Sequence, residues 1–92
     1  MKKQRHLHIQ ISTESEIGVI DLGNIELDEQ KIKSVAEPKL VTALSQHFDC
    51  EVKIIFSHVK SVTPIEIVVD CIIKSEEEDR QESAILTETW VY

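Results

Sequence analysis

The chain contains little glycine, proline or cysteine, and this shortage excludes several kinds of site. Its 92 residues include two Gly, two Pro and two Cys. A phosphate-cradling loop needs clustered glycines, and a structural zinc site needs closely spaced Cys and His ligands. The sequence has neither pattern, and it also lacks a nucleophile elbow. No motif therefore predicts an enzyme, and no cofactor is expected.

Long apolar runs and excess positive charge are also missing. No apolar stretch approaches the roughly 20 residues that span a bilayer, and the formal net charge is −7 at pH 7. Because phosphate backbones are bound by basic surfaces, this charge argues against a nucleic-acid partner. The basic first residues are followed by an alternating segment rather than by a signal peptide. We expect no membrane association, a cytoplasmic location and reduced thiols at Cys50 and Cys71.

The chain does contain regular alternation of apolar and polar residues. A chain of this length suits one domain, residues 1–92, with a frayed terminus at residues 1–4. Near its start, Arg5 to Ser12 alternates with period two, and Ile17 to Leu22 is a second short apolar run. This pattern predicts a β-hairpin with a turn at residues 13–15.

The next segment has a helical period. Its apolar residues fall on one helical face: Ile32, Ala36, Leu40, Ala43, Leu44 and His47 or Phe48. Asp28 could cap one helix from Glu29 to His47 that is kinked at Pro38. Alternatively, Ser34 and Glu37 form a capping box that starts the main helix later. Because a proline in a helix interior costs about 3 kcal/mol, we favour a main helix over residues 34–47 with looser helical structure before it.

Three further strands are predicted after the helix. They cover Val52 to Phe56, Ile65 to Ile73 and Ser83 to Tyr92, and a loop from Ser57 to Thr63 separates the first two. The element order β-β-α-β-β-β predicts a two-layer α+β domain, in which an antiparallel sheet of four or five strands packs on one main helix.

The register of the first two of these strands has two possible solutions. One places Cys50 opposite Cys71, where a disulfide is geometrically possible. The other places Lys53 opposite Asp70, with Ile55 opposite Val68. We favour the second register because it sets opposite charges against each other.

Strand alternation assigns side chains to the two faces of the sheet. The face against the helix should hold Val52, Ile54, Ile67, Val69 and Leu86. The opposite face should carry Ile55, Val68, Ile72, Ile85 and Val91. The opposite face is more apolar than a solvated sheet face should be. We therefore predict a small non-enzymatic interaction or assembly module, which self-associates or binds a protein partner through this face or an edge strand.

Glu88 supports an alternative hypothesis. Alternation places its side chain on the helix-facing side of the sheet, near Trp90. A carboxylate in such a place could act as an acid or base. The alternative function is therefore a small enzyme or ligand-binding domain whose helix–sheet pocket uses Glu88 and Trp90. A bulge, or a position at the open end of the sheet, would instead return Glu88 to water.

His6 and His8 are weak candidates for a metal site. Alternate residues of a strand share one face and lie about 7 Å apart, so two imidazoles could share an ion. A zinc site needs three or four ligands, and no spacing in the sequence supplies the others. We therefore expect a solvated strand face here, without a metal.

Overall fold

The computed structural model describes residues 5–11 and 16–88. These residues form five strands and one helix: β1 Arg5–Ile11, β2 Glu16–Gly23, α1 Glu29–Phe48, β3 Glu51–Val62, β4 Ile65–Lys74 and β5 Arg80–Glu88. The strands form one antiparallel sheet with the order β2-β1-β5-β4-β3. α1 packs on one face of this sheet, which confirms the predicted two-layer α+β fold.

β5 joins the two halves of the sheet. It pairs with β1 on one side and with β4 on the other, so the first hairpin and the later strands share one set of faces. The predicted hairpin and three-stranded meander are both present. β5 starts at Arg80, three residues before its predicted beginning. The predicted turn at residues 13–15 and the predicted strand positions 89–92 lie outside the described residues.

α1 is one helix of 20 residues, so the favoured start at residue 34 was wrong. The Asp28 side chain caps it by accepting hydrogen bonds from the backbone N–H groups of Gln30, at 2.9 Å, and Lys31, at 3.1 Å. This cap satisfies N–H groups that the first helical turn leaves without partners. Pro38 lies inside the helix on its exposed side. The residues buried against the sheet are Ile32, Ala36, Leu40 and Leu44.

Replacing Asp28 with alanine should lower the free energy of unfolding by about 1 kcal/mol, because two N–H groups lose their acceptor. Asp28→Asn retains a side-chain oxygen and should keep most of the stability. Urea denaturation of the two variants and the wild type measures this difference. An Asp28→Ala variant as stable as the wild type would show that the cap does not hold the helix start.

The register of β3 against β4 differs from the one we favoured. Lys53 pairs with Ile72 rather than with Asp70. Ile55 has no direct partner, because it is the extra residue of a β-bulge. The favoured register placed the turn within residues 57–63, whereas the turn is formed by Thr63 and Pro64, and two inserted residues, Ile55 and Lys60, each shift the pairing by one residue.

The register that pairs the two cysteines is also excluded. Cys71 pairs with Ile54, four residues beyond Cys50, and both cysteines are free thiols. Cys71 is buried, and desolvation raises the pKa of its thiol, with smaller contributions from the carboxylates of Glu82 and Asp70. The Cys71 thiol therefore stays protonated at neutral pH and is a poor nucleophile.

The predicted loop from Ser57 to Thr63 is mostly strand. β3 continues to Val62, and only Thr63 and Pro64 form the turn into β4. Beyond the bulge, Ser57 lies on the helix side, where its hydroxyl donates a hydrogen bond to the Glu37 carboxylate of α1 at 2.5 Å. The Ser57 hydroxyl, which the bulge turns towards the core, is therefore hydrogen-bonded.

The hydrophobic core lies between α1 and the helix-facing side of the sheet. The residues predicted for that face are buried or packed against the core: Val52, Ile54, Ile67, Val69 and Leu86. β1 and β2 add Leu7, Ile9, Ile11, Ile20 and Leu22. Because α1 covers this side of the sheet, the apolar residues that remain exposed are those on the opposite side.

Candidate functional site: the outer face of the sheet

The outer face is the side of the sheet that points away from α1, and no described element covers it. Ile55 is 52% exposed, Phe56 58% and Ile85 40%, while Val68 and Ile72 are partly buried by their strand neighbours. Four of the predicted interaction residues therefore lie on this face: Ile55, Val68, Ile72 and Ile85. The fifth, Val91, lies outside the described residues. Their role in binding stays a prediction.

Phe56 belongs to the outer face, although unbroken alternation from Val52 and Ile54 would place it on the inner one. Ile54 pairs with Cys71 and Phe56 pairs with Asp70, so Ile55 and Phe56 together oppose Asp70. A bulge of this kind places two successive side chains on the same side of a strand. The signal in the sequence is the run Ile54-Ile55-Phe56, because three successive apolar residues do not fit regular alternation on a half-exposed strand.

Asp70 lies in the middle of the exposed apolar side chains. Phe56 faces it from β3, and Ser83 faces it from β5, where the serine hydroxyl donates a hydrogen bond to Asp70 Oδ1 at 2.7 Å. Val68 and Ile72 are its neighbours on the same side of β4, because alternate residues of a strand share a face. We call this group the outer patch: Ile55, Phe56, Val68, Asp70, Ile72 and Ile85.

The charges around the outer patch balance. On the outer side of β3 and β4 three lysines accompany three carboxylates: Lys53, Lys60, Lys74, Glu51, Glu66 and Asp70. Lys60 lies 3.8 Å from Glu66. Lys53 forms no ion pair with any residue in the described ranges. This part of the surface has no net charge from lysines and carboxylates, whereas the whole chain carries −7.

The two edge strands are irregular. The pairing of β3 with β4 shifts by one residue at Ile55 and again at Lys60. Both Lys53 and Lys60 lie on β3. The pairing of β2 with β1 also has two shifts, one near each end. Bulges and lysines at sheet edges hinder pairing with another strand. Both edges therefore carry features that hinder pairing with another strand.

Glu88 is partly buried, and its carboxylate is fully engaged. Its side chain is 5% exposed, and Arg5 Nη1 donates to its Oε2 at 2.6 Å. The backbone N–H of Ile65 donates to Oε1 at 3.0 Å. Glu88 thus links its own strand to β1 and to the start of β4, and each carboxylate oxygen already has a donor.

The space between α1 and the sheet near Ala36, Leu40, Ile67 and Leu86 is too small to hold a water molecule. Trp90, the other residue of the alternative hypothesis, lies outside the described residues. At this place the helix and the sheet leave no space for a ligand, and the hypothesis of a pocket that uses Glu88 and Trp90 stays a prediction.

His6 and His8 share one side of β1, the side away from the helix, and each contacts a carboxylate of β2. His8 is close to Glu16, and His6 Nε2 lies 3.8 Å from Asp21 Oδ1. Within residues 5–11 and 16–88, no three His, Cys, Asp or Glu side chains are grouped as a metal site requires. The two histidines therefore lack a third ligand in the described part of the chain.

A groove of about 580 Å³ lies near the connection between β4 and β5. Its apolar side includes Phe48, Cys50 and Ile73, and the Arg80 guanidinium stacks 5.1 Å from the centre of the Phe48 ring. Arg80 also pairs with Glu82 at 3.1 Å. Among the described residues no buried side-chain nitrogen or oxygen lacks a hydrogen-bond partner, so no unsatisfied polar group points to a ligand in this groove.

Comparison with protein-family models, curated proteins and solved structures finds no match to this chain. Across residues 5–11 and 16–88, no helix is both long and apolar enough to cross a membrane.

Proposed function

We propose that this protein is a non-enzymatic assembly module that self-associates through the outer face of its sheet. The observation that carries the proposal is the outer patch, in which exposed Ile55, Phe56 and Ile85 accompany Val68 and Ile72 on a sheet face that no described element covers. Exposed apolar patches rimmed by polar residues are typical of protein interaction sites.

The dimensions of the sheet suit a pair of such faces. Five strands at a spacing of about 4.8 Å and strands of roughly eight residues at about 3.3 Å each give a plane of roughly 600 Å². Two faces in contact would bury roughly 1,200 Å² in total, which is the lower end of the range for specific interfaces. A face-to-face contact of two copies is therefore large enough to be stable.

The charge distribution favours a second copy as the partner. A chain with a net charge of −7 repels its own copies when they approach through acidic surfaces. On the outer side of β3 and β4, lysines and carboxylates are equal in number. Two copies can therefore approach through this part of the face with little net repulsion.

Val68→Glu and Ile72→Glu should convert an associated wild-type protein into a monomer, because each places a carboxylate within the apolar contact. Leu27→Glu is the matched control, since Leu27 is exposed but lies in the connection between β2 and α1. Size-exclusion chromatography with light scattering measures the mass of each form. Variants that remain as associated as the wild type would place the contact elsewhere, and a monomeric wild type would overturn the proposal.

A further inference from the structure

We infer that two copies associate about a two-fold axis that lies in the outer face, so that Lys53 of each copy meets Asp70 of the other. This inference rests on the proposed self-association and specifies its geometry. It follows from the arrangement of four side chains on β3 and β4, namely Lys53, Phe56, Asp70 and Ile72.

These four residues form a quadrilateral on the outer face. Lys53 pairs with Ile72 across the two strands, and Phe56 pairs with Asp70. Lys53 and Asp70 therefore occupy opposite corners, roughly 7–8 Å apart as diagonal neighbours in a sheet. Phe56 and Ile72 occupy the other two corners, so one diagonal is charged and the other is apolar.

The apolar diagonal is a natural position for a two-fold axis. An axis along the line from Phe56 to Ile72 exchanges the positions of Lys53 and Asp70. Because a two-fold contact joins residue i to j and also j to i, it forms the Lys53–Asp70 pair twice. Phe56 then packs against Phe56 of the second copy, and Ile72 packs against Ile72.

Asp70 requires a cationic partner if the outer face is covered by a second copy. Burying a carboxylate among apolar side chains is costly unless it is paired and hydrogen-bonded. Ser83 supplies one hydrogen bond, at 2.7 Å, and no ion pair joins Asp70 to another described residue. A cation from the second copy would complete its set of partners.

Lys53 is the best placed cation for this role. It makes no ion pair within the described residues, whereas Lys60 already lies 3.8 Å from Glu66. Lys53 is also exposed, so its side chain can reach across a contact without rearranging the sheet.

Charge reversal tests this pairing. Lys53→Asp alone sets two carboxylates together across the contact, and Asp70→Lys alone sets two ammonium groups together. Each single variant should weaken association by roughly tenfold or more. The double variant Lys53→Asp/Asp70→Lys restores both pairs and should associate to within roughly threefold of the wild type.

A mixture of the two single variants gives the sharpest result. In a mixed dimer every contact between positions 53 and 70 joins opposite charges, so the two variants should associate with each other more tightly than either does with itself. Sedimentation equilibrium of each variant, of the mixture and of the wild type measures this preference, with circular dichroism as the check on folding. If Asp70→Lys does not fold, Asp70→Asn replaces it and should weaken association while reducing its salt dependence.

The outcomes separate the two proposals. A monomeric wild type overturns self-association and the pairing with it. An associated wild type whose single variants show no preference for each other overturns the pairing alone and leaves the proposed function in place. Preferential association of Lys53→Asp with Asp70→Lys establishes the pairing.

Discussion

Replacing Glu88 with alanine is expected to lower the free energy of unfolding by about 3 kcal/mol, the largest loss predicted for this protein from removing one partner of an ion pair. The change leaves Arg5, whose side chain is only 21% exposed, without its counter-charge. It also removes the acceptor of the Ile65 backbone N–H. Both groups lie where water replaces a lost partner poorly, so the cost is much greater than that of a surface pair.

The ion pair between Lys31 and Glu26 is a matched control for this prediction. Its nitrogen–oxygen distance is also 2.6 Å, but both side chains are exposed. Glu26→Ala should therefore cause no large loss of stability, because exposed ion pairs contribute little. Denaturant titration of both variants at one fixed protein concentration makes the comparison. A Glu88→Ala variant no less stable than Glu26→Ala would contradict the structural role of Glu88.

Replacing Pro38 with alanine is expected to stabilise the protein by about 2 kcal/mol. Proline in a helix interior removes one backbone hydrogen bond and is roughly 3 kcal/mol less favourable than alanine. Pro38 lies in the interior of α1, and its side chain is exposed, so the substitution removes little packing. The full difference is not expected, because proline also restricts the unfolded chain, and this offsets part of its cost in the helix.

Thermal unfolding of Pro38→Ala against the wild type measures this gain. Gln46→Ala is the control, because Gln46 is also exposed on α1. Glutamine and alanine are both good helix formers. It should change stability very little. A Pro38→Ala variant that is less stable than the wild type would show that the proline ring stabilises the fold even though it is exposed.

The same proline explains why the start of the helix was predicted incorrectly. The cost of Pro38 favoured a helix that began at Ser34, close enough for the proline to lie in its first turns. The structure instead begins α1 at Glu29, with Asp28 as its cap. Burial of Ile32 against the sheet, which adds to the core, offsets a local penalty that sequence propensity alone treats as decisive.

Strand alternation predicted the faces of the sheet more successfully than it predicted their register. Ile67, Val69 and Leu86 are buried as expected because β4 and β5 alternate without interruption. In β3 the bulge at Ile55 shifts the later residues, and this change moves Phe56 outward. A bulge depends on how a strand twists against its neighbour, which a pattern within one segment does not specify.

The partners of Glu88 show a second limit of sequence reasoning. Its burial followed from alternation along β5, but its partners Arg5 and Ile65 come from β1 and β4. They become neighbours only because β5 lies between those two strands. When the strand order is not known, a buried carboxylate suggests a catalytic acid or base. Once the strand order is known, Glu88 is seen to form an ion pair with Arg5 and a hydrogen bond with Ile65, and these contacts join three strands.

Sedimentation equilibrium of the purified wild-type chain tests the central proposal most directly. Self-association through the outer face predicts a mass approaching twice the 10.5 kDa of one chain, with dissociation on dilution, and a return to the single-chain mass for Ile72→Glu. A wild-type mass of 10.5 kDa at the highest concentration reached would contradict the proposal.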